Sequence, residues 1–188
     1  MTSITTPAAD VLLTAEEYLH CAPSDYPSEL VRGKIVTMNP PFSAHGYWCS
    51  EIAGTLRDFV RANRLGRVLT NDGGVITTRG PDTVRGADVA FYSYERVPPG
   101  PPPEGYWPAP DLVVEVRSSD DRWIAIQRKV TEYLESNVRV VVVIDPAPQC
   151  MHVFTSDFPS EVLSGDHVLT FPQILPGFSL RITDFFNQ

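Results

Sequence analysis

Apolar residues recur along this chain in two rhythms, and the changes of rhythm mark its elements. From about Ala44 to Leu65 the residues Trp48, Ile52, Leu56, Phe59 and Val60 fall at helical spacing, which predicts a helix with Gly66 as its C-terminal cap. Upstream, Thr14-Ala15-Glu16-Glu17 has the form of a capping box and predicts a short helix to about His20, stopped near Pro23. Between the two, Glu29 to Met38 reads as a pair of short strands turning at Gly33, with Pro40 and Pro41 ending the hairpin. Past the long helix, strands are predicted at Val68–Thr78 and Gly86–Ser93, joined by the turn residues Gly80-Pro81-Asp82. Pro98 to Pro110 is dense in proline and reads as an extended surface loop with polyproline II character, too short to separate domains.

The apolar centre of the chain follows. Leu112 to Val116 reads as a strand, and Val138–Ile144 is an almost unbroken β-branched run of the kind covered on both faces. A helix between them, capped by Ser119 and running to about Ser136, makes a strand–helix–strand unit whose right-handed crossover sets the strands parallel. Met151–Phe154 and Phe178–Ile182 read as smaller peripheral strands, and no internal repeat is visible. Residues 1–188 are therefore expected to form one α/β domain, a length ample for a sheet with helices on its faces.

Composition narrows the class. A hydrophobic share of 43% with 20% charged residues excludes wholesale disorder. No apolar run approaches the roughly 20 residues of a membrane span, so no membrane association is expected. Met1 to Asp10 lacks the basic and apolar segments of a secretory signal. Cys21, Cys49 and Cys150 are odd in number and scattered, which is no disulfide framework, and the cytoplasm is the expected address. A net charge of −8 argues against tight, unspecific DNA binding, with Arg57, Arg61, Arg64 and Arg67 offering a modest basic patch.

Strand parity then picks out chemistry. Leu112, Val114 and Val116 share one face, so Glu115 and Arg117 point to the other; Val89 and Phe91 share a face opposite Asp88. If these strands pair, the two carboxylates face each other at roughly 5 Å. At an effective dielectric near 20, two like charges at that distance repel by about 3 kcal/mol, which a cation between them would relieve. Oxygen-ligated Mg²⁺ or Mn²⁺ is the natural candidate. On the following helix Trp123, Ile126, Val130, Tyr133 and Leu134 form an apolar stripe with Lys129 at its border, from which its ammonium can snorkel toward the sheet.

Six segments carry a resemblance: Glu29-Leu30-x-x-Gly33, Asn39-Pro40-Pro41-x-x-x-His45-Gly46, Ala87-Asp88-Val89-Ala90-Phe91, Pro110-Asp111-Leu112-Val113-Val114-Glu115-Val116, Lys129-x-x-x-Tyr133-Leu134 and Val143-Ile144-Asp145-Pro146. Together, from about Leu13 to Phe185, they resemble the Uma-two family of restriction-endonuclease-like proteins within the PD-(D/E)xK nuclease superfamily. The resemblance implies a restriction-endonuclease-like fold, a mixed central sheet flanked by helices. It implies Asp88 and Glu115 as metal ligands and Lys129 as the catalytic lysine, moved from the strand to the helix. Glu29 resembles an additional acid near that site. The superfamily pattern E-x-K would place lysine where this chain has Arg117, and Ser118-Ser119-Asp120-Asp121 stands where the family commonly has Ser-Pro-Ser.

The implied activity is Mg²⁺- or Mn²⁺-dependent endonucleolytic hydrolysis of DNA, with a homodimer suited to cutting two strands. Two rivals stand beside it: a nuclease-fold binding module without turnover, and a metal-dependent hydrolase of another phosphate ester. Some roles stay open. Arg117 either pairs with Glu115 or contacts a phosphate, and His45 either bonds a phosphate or caps its helix. Tyr133 is read as a packed aromatic with a bonded hydroxyl, and Cys49, four residues after His45, as lacking the further ligands a zinc site needs.

Overall fold

A computed structural model describes residues 12–23 and 25–187; the reading of Met1–Asp10 falls outside them. The capping box forms as the sequence indicates. The Thr14 side chain accepts from the Glu17 amide, the Glu17 carboxylate takes the Thr14 amide, and α1 runs Ala15–Cys21. Strands β1 (Ser28–Val31) and β2 (Lys34–Thr37) pair antiparallel about Arg32 and Gly33, with φ of 51° and 75°. Two successive left-handed residues give the tight hairpin whose twist matches its strands.

Helix α2 spans Ser43–Asn63 and buries Ile52, Ala53, Leu56 and Val60. Its C-cap is Arg64, left-handed at φ 53°, not Gly66. Gly66 instead opens β3 (Gly66–Thr78), where an added Cβ would lie 2.0 Å from the Tyr92 carbonyl oxygen. Close approach of a neighbouring strand, not a cap, is what glycine serves there. Strand β4 (Thr83–Ser93) is longer than predicted, because Thr83-Val84-Arg85 continues the β3 ladder through Ile76↔Val84.

Strand β5 (Leu112–Val116) and strand β6 (Val140–Asp145) are parallel and joined through α3 (Trp123–Glu135), as the strand–helix–strand pattern requires. Ser119 does not cap α3. The N-cap is Arg122, with no side-chain hydrogen bond, and Asp121 accepts from the Ser118 amide in the preceding turn. Beyond β7 (Cys150–Thr155) lie β8 (Glu161–Ser164), β9 (Val168–Phe171), β10 (Leu175–Arg181) and α4 (Ile182–Phe186). Of the predicted strand Phe178–Ile182, the residues to Arg181 end β10, which pairs with β9 in a separate two-stranded sheet, while Ile182 opens α4.

The eight-stranded mixed sheet has the order β2-β1-β4-β5-β6-β7-β8, with β3 on β4. One face packs α2, α4 and the β9–β10 pair around Val89, Phe91, Leu112, Val114 and Ile144. The other packs α3 through Ile126, Val130 and Tyr133 onto Ala90, Val113, Val141 and Val143. Helices thus flank the sheet on both faces, which is why the Val140–Ile144 run is apolar throughout. Among the described residues no helix is long and apolar enough to cross a membrane. All three cysteines are free.

Candidate active site

The site follows from how three strands share β4. Strand β3 pairs along the whole of β4, from Ser93 to Thr83, so β1 and β5 must both lie on its other edge. Strand β1 meets it at Val84 and β5 at Val89 to Phe91. Between those contacts this edge of β4 has no strand partner, and Glu29, Asp88 and Glu115 gather along it. The β4–β5 ladder stops one residue short of Asp88. The Asp88 side chain itself accepts the next amide, Val116 N–H, at 2.7 Å, which pins its carboxylate against β5.

Glu115 is 8% exposed, and its two oxygens are held differently. One accepts the Tyr133 hydroxyl at 2.8 Å; the other lies 3.3 Å from Lys129 Nζ. Tyr133 is thus the packed aromatic with a bonded hydroxyl that the sequence suggested. Burial, opposed by Lys129 and reinforced by the charge of Asp88, pushes the Glu115 carboxyl up to about 7. Two neighbouring carboxylates of this kind are oxygen donors that could hold a hard divalent cation.

Lys129 does cross from the edge of the α3 stripe to the sheet, where its Nζ lies 2.9 Å from Glu29 Oε1. Glu29 also accepts from Arg85 at 2.6 Å and from the Gly86 amide at 3.2 Å. Burial disfavours its charge, but Lys129 and Arg85 outweigh that and hold its carboxyl below the ordinary value. With its oxygens engaged by two cations and an amide, Glu29 fits a positioning role toward Lys129 and not a metal-ligand role.

Two residues join the cluster that sequence reasoning did not place there. His45, in the first turn of α2, sets Nε2 3.2 Å from Asp88 Oδ2, so it neither caps the helix nor stands free for a phosphate. Hydrogen bonds to Asp88 and Cys49 push its imidazolium up to about 11. Asp72 comes from a bulge in β3, where Asn71 and Asp72 have φ of 66° and 55° and the register to β4 shifts between Thr70 and Gly73. Burial and the charge of Asp88 raise its carboxyl. The signal was visible in Asn71-Asp72-Gly73-Gly74, a turn-forming string inside a strand pattern.

Arg117 departs from expectation. Parity is right, since its guanidinium lies over the Trp123 ring on the α3 face, 5.4 Å from the centroid. Its carboxylate partner, however, is Asp145 at 2.9 Å and not Glu115. The β5–β6 register pairs Val116 with Ile144, so the next lateral neighbour of Arg117 is Asp145 at strand spacing, whereas Glu115 lies two residues along at nearly 7 Å. Arg117→Ala is expected to destabilise the protein by about 1–3 kcal/mol, because it leaves Asp145 buried without its ion. Urea unfolding measures this, and a wild-type midpoint would show that Asp145 does not depend on the pair. The predicted arginine patch is also reduced: Arg67 bonds the carbonyls of Pro98 and Gly100 in the proline-rich loop, and Arg64 is the α2 cap.

Glu29, His45, Asp72, Asp88, Glu115 and Lys129 line a cavity of about 420 Å³. A mixed sheet flanked by helices, with carboxylates converging at one strand edge and a lysine delivered from the crossover helix, defines a restriction-endonuclease-like α/β protein. The chain belongs to the family described as "Uma2: Putative restriction endonuclease", which matches residues 15–183. Its fold is similar to the crystal structure of "a putative nuclease belonging to DUF820" from Anabaena variabilis, with a TM-score of 0.81 and 22% identity over 93% of this chain and 98% of that one. Comparison with curated proteins finds no match.

Proposed function

We propose that this protein is a Mg²⁺- or Mn²⁺-dependent endonuclease that hydrolyses phosphodiester bonds in DNA. The observation that carries the reading is the convergence of Asp88 and Glu115 from neighbouring strands beside Lys129. Among the described residues lining the cavity are six carboxylates (Glu29, Asp72, Asp88, Glu115, Asp120 and Asp121), against Lys129 and His45 as cations. Such a cavity repels a phosphodiester unless a multivalent cation reverses the local field, which supports metal dependence.

In this reading Asp88 and Glu115 would hold the ion, which would supply Lewis-acid polarisation of a phosphoryl oxygen and of water. Tyr133 fixes the direction of Glu115, and the Val116 amide fixes that of Asp88. Lys129 keeps a positive charge at Nζ against the negative charge that develops on the phosphorus-bound oxygens. Glu29 and Arg85 hold that ammonium in place. Cutting both strands of a duplex with one site per chain calls for two copies, so a homodimer is part of the proposal and sedimentation velocity checks it.

The test is supercoiled-plasmid nicking with Mn²⁺, Mg²⁺ or chelator, run beside thermal unfolding. Mn²⁺ is expected to raise Tm by mass action and to support nicking. Asp88→Asn with Glu115→Gln is expected to abolish both. A metal-induced Tm rise unchanged in the double variant would overturn the ligand assignment. Nicking that persists in chelator would overturn metal dependence. The size of the cavity also suits a small phosphate ester carried with a bound cation, and a panel of nucleotide and monoester substrates distinguishes that reading.

A further inference from the structure

Asp88 belongs to a second potential donor set. His45 and Cys49 stand one turn apart on α2, and their donor atoms and an Asp88 oxygen all lie within 4.8 Å of one another. His45 Nε2 is 3.2 Å from Asp88 Oδ2 and 3.9 Å from Cys49 Sγ. Zinc bonds of roughly 2.0–2.2 Å to nitrogen and oxygen and roughly 2.3 Å to sulfur make tetrahedral edges of about 3.3–3.6 Å. The two separations from Nε2 bracket those edges, and Cys49 Sγ, which also lies 3.5 Å from His45 Nδ1, turns toward Nε2 to complete the set.

We propose that His45, Cys49 and Asp88 form a site for a borderline-soft divalent cation, Zn²⁺ or Co²⁺, distinct from the all-carboxylate pair Asp88 and Glu115. The chemistry separates the two: a thiolate and a neutral imidazole select zinc or cobalt, the ion displacing the protons of the Cys49 thiol and the His45 imidazolium, whereas magnesium takes oxygen donors. Asp88 is already oriented by the Val116 amide at 2.7 Å, which gives the site one preorganised ligand. Three protein donors leave the fourth position open, the arrangement of a reactive or exchangeable site and not of a closed structural one. His45 and Asp88 line the cavity, so the ion has a route in. Because Asp88 is shared, occupancy by Zn²⁺ withdraws it from Glu115, and Zn²⁺ antagonises Mn²⁺-dependent cleavage. That consequence rests on the proposed nuclease reading; the site itself does not.

Cobalt titration into the full chain tests the site without any substrate. A near-ultraviolet thiolate-to-cobalt band and strong visible bands of four-coordinate cobalt are expected, saturating at one ion per chain. A carboxylate pair produces no thiolate band. Cys49→Ser and Cys49→Ala are each expected to remove it, Cys21→Ser and Cys150→Ser to leave it, and Zn²⁺ to bleach it. Absence of the band in the wild-type chain, or its survival in both Cys49 variants, overturns the proposal. A band present without plasmid nicking leaves this site standing and counts against the nuclease reading. Nicking without a band does the reverse.

Discussion

Replacing Lys129 by methionine is expected to slow plasmid nicking by about 10²–10³-fold, the loss typical of one preorganised charge aimed at a developing anion. The lysine is unsuited to accepting a proton. Burial works against its ammonium, but the charges of Glu115 and Glu29 outweigh burial and raise its pKa above the ordinary value. It therefore stays charged at every working pH and acts as a fixed cation. From its place at the edge of an apolar stripe alone, little change in stability would be expected on substitution; the ion pairs to Glu29 and Glu115 imply otherwise. Removing the cation leaves Glu115 buried beside Asp88, and the metal-free variant should lose about 2–4 kcal/mol at pH 8.

That loss has a sign in pH. The Glu115 carboxyl is already raised to about 7 in the folded protein, against 4.5 as its ordinary value. Its contribution to stability is fully present below the unfolded value and is lost as pH rises through the folded one. Without Lys129 the folded value moves higher still, because the largest influence lowering it is gone and the Tyr133 hydrogen bond remains without it. Urea unfolding of Lys129→Met and wild type at pH 5.5 and pH 8 should show the gap between them narrowing at the lower pH. A gap that does not change with pH would mean that Glu115 is not what the lysine stabilises, and wild-type nicking would make Lys129 structural.

Much of this cluster was legible in the chain because short-range periodicity decides it. Alternation along Leu112–Val116 and around Asp88 was enough to put both carboxylates on one face, and the stripe on α3 was enough to bring Lys129 toward them. What escaped was set by register and by departures from regular structure. Which lateral neighbour Arg117 meets depends on the β5–β6 pairing, and no local pattern specifies that. Asp72 reaches the cavity only because β3 carries a bulge opposite Asp88. The tail from β8 to α4 was under-read because its strands are short. Leu169, Phe171 and Phe178 are buried against the far sheet face, a contact between residues distant in sequence.

The largest loss of stability is expected from Arg85→Ala. Arg85 is a charge within the apolar stretch of β4, and pairing of Leu30 with Val84 sets it opposite Glu29. Its side chain is 4% exposed and bridges two acids, Glu29 at 2.6 Å and Glu132 of α3 at 2.6 Å. Alanine removes the bridge between them and leaves Glu29 with Lys129 but without its second cation. A loss of about 3–5 kcal/mol is expected, the cost of breaking a buried ion network by deleting its centre. Replacing the network as a unit, Arg85→Met with Glu132→Leu and Glu29→Gln, should recover most of that stability, since no uncompensated charge remains. Nicking should not recover with it, because glutamine no longer supplies the charge that holds Lys129 Nζ. This divergence separates a positioning network from a merely structural one: urea midpoints return toward wild type in the triple variant while the cleavage rate stays low. If the triple variant cleaves at the wild-type rate, Glu29 and Arg85 serve the fold alone. If Arg85→Ala unfolds within about 1 kcal/mol of wild type, the buried bridge is not what anchors β1 and α3 to β4.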